Sequence, residues 1–157
     1  MTELELIYFL FPRILAATLC GVIIGLEREF KQKAAGVRTH MIVCVGATIF
    51  TSINFALLDT YDFDPSRIIA QVVTGVGFLG AGVIFKGDDK VSGITSAAFI
   101  WLTASLGVIV GCGFILSGIL FTIGLLIVLL LIRKAEDKIE PKIEEIRKRK
   151  LEEHGKK

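Results

Sequence analysis

The sequence predicts an all-α membrane protein, a polytopic helical bundle of about five transmembrane helices with a charged cytoplasmic C-terminal tail. The first observation is composition: 53% of the 157 residues are hydrophobic, and the mean hydropathy is +0.68. The second is the distribution of charge, because residues 91–132 contain no charged side chain whereas residues 133–157 contain 10 Lys/Arg and 7 Asp/Glu. A soluble domain would scatter its charges along every element, so this segregation indicates a lipid-embedded bundle with a polar tail.

The same division predicts a transmembrane helical domain over residues 1–132 and a charged tail over residues 133–157. The charge-free stretch from Val91 to Ile132 would make roughly 63 Å of continuous helix, about twice the hydrocarbon thickness of a bilayer. We therefore expect two helices there, with a break near Gly111 to Gly113. The apolar runs predict helices over residues 4 (or 11)–29, 39–58, 66–85, 95–110 and 114–132.

The charges of the loops predict the orientation of the bundle. The loop after the first helix carries four Lys/Arg, and the tail begins with Arg133 and Lys134. The loop after the second helix has one Arg against three Asp, namely Asp59, Asp62 and Asp64. Because loops rich in Lys and Arg stay on the cytoplasmic side, we predict that the N-terminus lies outside and the C-terminus inside.

The stretch GLEREFKQKAAGVRTH, residues 25–40, forms a dense charged connection between the first two helices. Glu27 closes the first helix and Arg38 opens the second, so the chain brings them near one another, and the helix dipoles favour the pair. We predict an ion pair between Glu27 and Arg38, with Thr39 as the N-cap of the second helix. The alternative is a hydrated surface pair. The candidate functional residues of this stretch are Gly25, Glu27, Arg28, Glu29, Gly36, Arg38, Thr39 and His40.

Arg13 lies near the outer end of the first helix, within its apolar zone. A charge at that depth is costly and usually faces protein or water. The alternative is that the long side chain extends to the headgroups while its stem stays among lipid. The sequence leaves both interpretations open. In the same helix, Gly21 and Gly25 form a small-xxx-small pair that allows another helix to approach closely.

The third predicted helix begins with Asp64-Pro65, which is typical of an N-cap followed by the first helical residue. Its glycines match the spacing of a dinucleotide-binding fingerprint, but that motif needs a strand, a turn and a helix, and this segment is one apolar span. Close helix packing is the favoured interpretation, and a locally unwound segment is the alternative. The candidate functional residues here are Asp64, Arg67, Gln71, Gly75, Gly77, Gly80 and Gly82.

Nothing in the sequence predicts catalysis, a cofactor or a metal site. The three cysteines occupy separate apolar surroundings without metal-ligand spacing, and His40 is the only histidine near the predicted membrane segments. No nucleophile–base pair is evident. We expect no enzymatic activity and no nucleic-acid partner; the expected partners are the lipid bilayer and either further copies of the chain or another membrane protein.

Three segments resemble the MgtC/SapB family of small bacterial inner-membrane proteins: GVIIGLEREFKQKAAGVRTHMIVCVGATIF, DPSRIIAQVVTGVGFLGAGVIF and VSGITSAAFIWLTASLGVIVGCG. The third contains Thr95 and Trp101, which complete the candidate functional residues. The resemblance implies an integral inner-membrane protein linked in some members to growth under magnesium limitation and to virulence, acting on other membrane proteins. Many relatives carry a soluble domain after the last helix, where this chain has its charged tail.

Two functions compete. The first is a regulatory or adaptor protein that binds another membrane protein through its glycine-lined helix faces. The second is a small oligomeric transporter or channel for magnesium or protons, whose polar path would be lined by Asn54, Gln71, Thr74, Thr103 and Ser105. The lack of acidic and basic residues in the centres of the predicted second to fifth helices favours the first.

Overall fold

The computed structural model describes residues 2–58, 64–88 and 90–154, and side chains are described only as far as residue 139. The described residues form five helices and a two-stranded hairpin in the order α1 (Glu3–Phe30), α2 (Val37–Leu57), α3 (Ser66–Ala81), β1 (Phe85–Lys86), β2 (Val91–Ser92), α4 (Ile94–Gly111) and α5 (Ile115–His154). The all-α prediction is confirmed. Asp59 and Asp62 of the predicted second loop lie outside the described residues.

Among the described residues, four helices are long and apolar enough to cross a membrane: α1, α2, α4 and the part of α5 before residue 140. Helix α3 is shorter, with 16 residues, or about 24 Å at the usual rise. It ends at Ala81, four residues before the predicted end at residue 85, because the chain turns there into the hairpin.

The chain divides into two compact units, residues 1–122 and residues 123–157. The second unit consists of the later part of α5, which is apolar up to Ile132 and charged beyond it. Helix α5 was predicted to end at Ile132, but it continues through the charged tail to His154. The proposed domain boundary between residues 132 and 133 stays a prediction.

Glycines determine how closely α1, α2 and α4 pack in the first unit. A Cβ added to Gly21 would lie 2.6 Å from the Cα of Met41, and one on Gly25 would lie 2.5 Å from the Cα of Val37. A Cβ on Gly107 would meet the carbonyl oxygen of Cys44. Such contacts exclude any side chain at these positions. The predicted close approach at Gly21 and Gly25 is present in the structure.

Side-chain hydroxyls also connect α2 to α4. The Thr48 hydroxyl donates to the carbonyl of Gly107 at 2.9 Å, and the Ser52 hydroxyl donates to the carbonyl of Gly111 at 3.2 Å. Both hydroxyls are fully buried. In a bundle surrounded by lipid such hydrogen bonds join helices because the hydroxyls have no water to bond instead.

Helix α3 lies at the edge of the first unit and buries only Val76 and Gly80. Gly80 is in ordinary contact with Ala97, at 3.6 Å from an added Cβ, whereas a Cβ on Gly75 or Gly77 would have no atom of the described residues within 4 Å. The predicted packing of backbones at Gly77 is therefore wrong within the described part of the chain. The segment is not unwound either, since α3 continues to Ala81.

The hairpin between α3 and α4 was not predicted from the sequence. Its strands pair antiparallel, with Phe85 opposite Ser92 and Lys86 opposite Val91. Gly93 follows with φ +88° and lies against the Val83 carbonyl, a conformation and a contact that only glycine allows. This residue sets the direction in which α4 begins.

Candidate functional site

A buried group of polar and charged side chains lies where α1 ends and α2 begins, against the first half of α4. Helix α1 contributes its last turn, α2 its first turn, and α4 two residues one turn apart. We call the following residues the charged cluster: Glu27, Arg28, Lys31, His40, Phe99 and Thr103.

Glu27 is the acid of the charged cluster, and its side chain is 8% exposed. One carboxylate oxygen lies 2.6 Å from Nζ of Lys31, and the other lies 3.3 Å from Nη1 of Arg28. Lys31 follows Glu27 by four residues, so the helix places both side chains on one face. One carboxylate therefore serves two cations, and these three side chains together carry one net positive charge.

Arg28 is buried, with 4% of its side chain exposed. Its guanidinium carbon lies 4.0 Å from the centre of the Phe99 ring, a cation–π contact between α1 and α4. Its Nε and Nη2 have no hydrogen-bond partner in the part of the chain that the structure describes. A buried guanidinium with unused donors makes the Glu27 carboxylate essential as its counter-charge.

His40 connects α2 to α4 inside the cluster and is fully buried. Its Nδ1 lies 2.8 Å from Oγ1 of Thr103, and the Thr103 hydroxyl donates to the carbonyl of Phe99, also at 2.8 Å. Since the hydroxyl proton is used in that second bond, the network assigns the proton to Nδ1 of His40, which donates to Thr103. Nε2 of His40 is left as a buried acceptor with no partner among the described residues.

Glu29 caps α2 from the end of α1. Its carboxylate accepts a hydrogen bond from the backbone N–H of Val37 at 2.9 Å, and Gly36 occupies the N-cap position. A Cβ on Gly36 would lie 2.8 Å from the Glu29 carboxylate, so glycine leaves room for this cap. The prediction that Thr39 caps α2 is wrong, because the helix begins two residues earlier and Thr39 is exposed.

The predicted ion pair between Glu27 and Arg38 is also wrong. In the described part of the chain, the ion pairs of Glu27 are with Arg28 and Lys31, and Arg38 is exposed. The physical reason is that neighbours on the same helix reach Glu27 without crossing the connection. Arg38 instead lines an open recess of about 540 Å³ together with Glu29, Gly36, Val37 and Thr39.

Arg13 lies in the first half of α1, fourteen residues before Glu27, and is half-buried. Its guanidinium carbon sits 3.6 Å from the centre of the Phe9 ring, and Nη1 donates to the Phe9 carbonyl. The side chain therefore extends toward the N-terminal end of α1, away from the charged cluster. This direction agrees with the second of the two interpretations left open by the sequence, whereas the contact of Nη2 with Gly113 in the turn before α5 agrees with the first, so both stay open.

The candidate residues of α3 lie away from the charged cluster. The carboxylate of Asp64 accepts from the backbone N–H of Ser66 at 2.9 Å and from its hydroxyl at 2.8 Å. These bonds hold the pKa of Asp64 below its usual value, the backbone bond most strongly. The helix begins at Ser66, the first residue of the predicted range, but Pro65 rather than Asp64 occupies the N-cap position. Arg67 is exposed.

An apolar groove of about 450 Å³ runs between α2 and α3. Gln71 and Gly75 line it from α3, and Gly46 and Phe50 line it from α2. Gly77, Gly80 and Gly82 of the predicted glycine face do not line the groove. Gly82 forms the C-cap of α3.

On α4, Thr95 is exposed in the first turn, and Trp101 is 49% exposed beside a second, smaller recess formed with α3. Sequence reasoning missed Phe99 altogether and did not recognise Lys31 as a partner of Glu27. The four-residue spacing from Glu27 was a signal for Lys31. Phe99 gave no signal, because its contact with Arg28 joins residues far apart in the chain.

The described residues contain no group of three or more His, Cys, Asp or Glu side chains placed to hold a metal ion. The fold and the charged cluster together define the class of protein: a polytopic α-helical membrane protein with a buried charged cluster between the ends of its helices. A family model described as the MgtC family matches residues 14–138. The chain belongs to the MgtC family.

Curated relatives agree with this membership. The "Putative magnesium transporter YhiD" of Escherichia coli K12 is 45% identical over 127 residues, covering 77% of this chain and 59% of that protein. "Protein MgtC" of Salmonella typhimurium LT2 is 39% identical over 139 residues, covering 88% of this chain and 59% of that protein. An uncharacterized protein of Haemophilus influenzae is 40% identical over 126 residues, covering 75% and 53%.

The chain therefore spans between half and three-fifths of the length of these relatives, 53% to 59%. No solved structure matches it.

Proposed function

We propose that this protein is a regulatory or adaptor protein of a bacterial inner membrane and that it acts on another membrane protein. Its role is in growth under magnesium limitation, and that growth contributes to virulence. The proposal assigns it no catalytic activity. The observation that carries the proposal is how the polar side chains of the bundle are placed: they bond within or between helices, or lie apart, and do not converge on one path.

Each side chain of the postulated ion path supports this interpretation. The hydroxyls of Thr74, Thr103 and Ser105 donate to backbone carbonyls of their own helices, at 2.9, 2.8 and 2.7 Å. Asn54 donates from Nδ2 to the Pro65 carbonyl at 2.8 Å, which joins the end of α2 to the start of α3. Gln71 lies apart from them on the apolar groove. A conducting path needs polar groups that converge and remain free to coordinate an ion.

The apolar groove between α2 and α3 is the surface that suits an adaptor. Gly75 lines it and has open space around its Cα, with no atom within 4 Å of an added Cβ. In a bilayer such a position lets the helix of another protein approach closely, since small residues are what bring membrane helices together. The occupant of this groove is proposed to be a helix of the regulated protein.

Transport is the second candidate, favoured by the name of the YhiD relative, a putative magnesium transporter. Since the chain covers only part of that protein, a transport activity would have to reside in the membrane helices shared by both. The buried Nε2 of His40, an acceptor without a partner among the described residues, is the group it would use.

Two measurements separate the candidates. The purified protein in liposomes that contain a magnesium-sensitive dye is expected to give no more flux than empty liposomes. In a bacterial strain that lacks its own MgtC-family gene, the protein is expected to restore growth in low-magnesium medium. Flux well above the empty liposomes would establish the transport alternative instead.

Matched glycine variants test whether the groove is used. Gly75→Leu fills the groove, and Gly124→Leu places the same side chain at another open glycine, on α5. At equal membrane levels, only Gly75→Leu is expected to abolish growth rescue. Equal rescue by both variants would show that the groove binds no partner helix.

The orientation with the N-terminus outside and a cytoplasmic C-terminus is likewise proposed, supported by the loop charges. In a variant without native cysteines, a cysteine in place of Lys134 is expected to react with an impermeant maleimide only after the cells are opened. Labelling in intact cells would reverse the orientation.

A further inference from the structure

We propose that Arg13 forms a binding site for the phosphate group of a membrane phospholipid, at the end of the bundle opposite the charged cluster. The site lies in the first unit of the chain, between α1 and the turn that joins α4 to α5. It does not depend on the proposed function.

Among the residues that the structure describes, Arg13 has no acidic partner to neutralise it. In the described part of the chain, the ion pairs of the helices all involve Glu27, which lies fourteen residues away. The nearest acid toward the N-terminus is Glu5, whose carboxylate accepts from the backbone N–H of Thr2 at 2.7 Å. Helix α5 begins close by and has no acidic residue in its first turn. No described residue supplies the counter-charge, and an anion from the surrounding lipid would supply it.

The guanidinium is held in place, although its charge is not compensated. One face lies on the Phe9 ring at 3.6 Å, and Nη1 donates to the Phe9 carbonyl. Nη2 lies 3.2 Å from the position that a Cβ on Gly113 would take, so the group occupies a slot that this glycine leaves open. Nε is buried and has no partner among the described residues. Nη2 is not among the buried atoms and makes no hydrogen bond to the described residues, so it is the donor that an anion can reach. A charged donor on a fixed planar group suits an oxyanion, and phosphate above all.

The depth of the group in the bilayer identifies the source of the phosphate. Arg13 lies about 21 Å along α1 from Glu27, and Phe9 lies about 27 Å from it, at 1.5 Å per residue. The charged cluster belongs at one surface of a hydrocarbon layer about 30 Å thick. The Arg13 side chain extends toward Phe9, which places its donors just within the opposite boundary. The phosphates of the lipid headgroups lie immediately beyond that boundary.

Native mass spectrometry of the full chain in a phosphate-free detergent tests the site. Dioleoylphosphatidylglycerol and dioleoylphosphatidylcholine, which both carry a phosphate, are expected to bind in one copy per chain. A digalactosyl diacylglycerol, which has the same chains without a phosphate, is expected to bind at least tenfold more weakly. Equal binding of the glycolipid would overturn the proposal, because the phosphate would then contribute nothing.

The test variants are Arg13→Gln and Arg13→Lys. The control is Lys33→Gln, which also removes one positive charge, because Lys33 lies exposed in the α1–α2 connection. Arg13→Gln is expected to weaken phospholipid binding about tenfold, which corresponds to about 1.4 kcal/mol. Arg13→Lys keeps the charge but loses the planar fork, and is expected to weaken it by a smaller factor. Lys33→Gln is expected to bind like the parent.

Two outcomes refute the site. One is unchanged binding in Arg13→Gln; the other is an equal loss in Lys33→Gln, which would mean a general charge effect. If Arg13→Gln does not fold, the difference between phospholipid and glycolipid binding to the parent protein decides whether the site recognises phosphate. Displacement of the lipid by millimolar inorganic phosphate would assign the site to free phosphate and overturn the lipid assignment.

Discussion

Glu27→Gln tests the charged cluster most directly, because it removes a charge and keeps the shape of the side chain. Loss of one partner of a buried ion pair costs about 3–5 kcal/mol, since the remaining charge stays buried without compensation. Arg28 meets that condition, with 4% of its side chain exposed, whereas Lys31 is 30% exposed and keeps its water. Loss of the exposed pair costs less than about 1 kcal/mol.

The separation of 3.3 Å between Arg28 Nη1 and Glu27 Oε2 is longer than an optimal charge-assisted hydrogen bond. We therefore expect the lower end of the range, a loss of about 3 kcal/mol in the free energy of unfolding. This corresponds to a change of about 100-fold in the ratio of folded to unfolded protein. Unfolding in mixed micelles by increasing SDS, followed by far-ultraviolet circular dichroism, measures the loss.

Arg38→Gln is the matched control, since Arg38 is exposed and pairs with neither Glu27 nor Glu29 in the structure. Its stability is expected to stay within about 0.5 kcal/mol of the parent. The double variant Glu27→Gln, Arg28→Met removes both buried charges and should recover most of the loss. If Arg38→Gln is as damaging as Glu27→Gln, or if the double variant recovers nothing, the assignment of Arg28 as the partner is wrong.

Three further changes test the packing, the buried histidine and the start of α3. Gly107→Ala should destabilise the bundle by about 1–3 kcal/mol through overpacking. Gly77 has open space around it, so Gly77→Ala should leave SDS unfolding unchanged. Equal effects of the two variants would refute the close packing of α4 on α2 at Gly107. Thr103→Val removes the acceptor of His40 Nδ1 and should lower the free energy of unfolding by about 1–3 kcal/mol. In a His40→Asn background the same change should cause little further loss. Additive losses from the two changes would mean that no hydrogen bond joins these residues. Because the folded-state pKa of Asp64 is lowered, its contribution to stability is present above the unfolded value and lost as the pH falls through the folded one. The protection of the amides at the start of α3, measured against the intrinsic exchange rate at each pH, should therefore fall in acid below about pH 4, more in the parent than in Asp64→Asn.

Local features of the sequence were sufficient to predict the helices. Hydropathy and the spacing of charges placed all five, most of them within two residues at each end, and Gly21 and Gly25 were recognised as a surface of close approach. The exceptions are instructive. Helix α3 stops early at a hairpin that has only two residues in each strand, too short to leave a periodic pattern. Helix α5 continues past the end of the apolar run at Ile132 because charged residues such as Lys and Glu also favour helix.

The sequence by itself determined that this is a helical membrane protein and that residues 25–40 form a charged connection between its first two helices, because hydropathy and charge act over neighbouring residues. Its motifs indicated the MgtC family. Only the tertiary structure decided how those charges pair. Arg28 rests on Phe99 and His40 bonds to Thr103, and both contacts join α4 to residues more than sixty positions earlier. It also showed that a Cβ on Gly77 would contact none of the described residues. A glycine has the same sequence signature whether its helix face is covered or open, and a charge has several partners within reach. The packing of α4 against α1 and α2 decides which glycines are covered and which partner each charge takes.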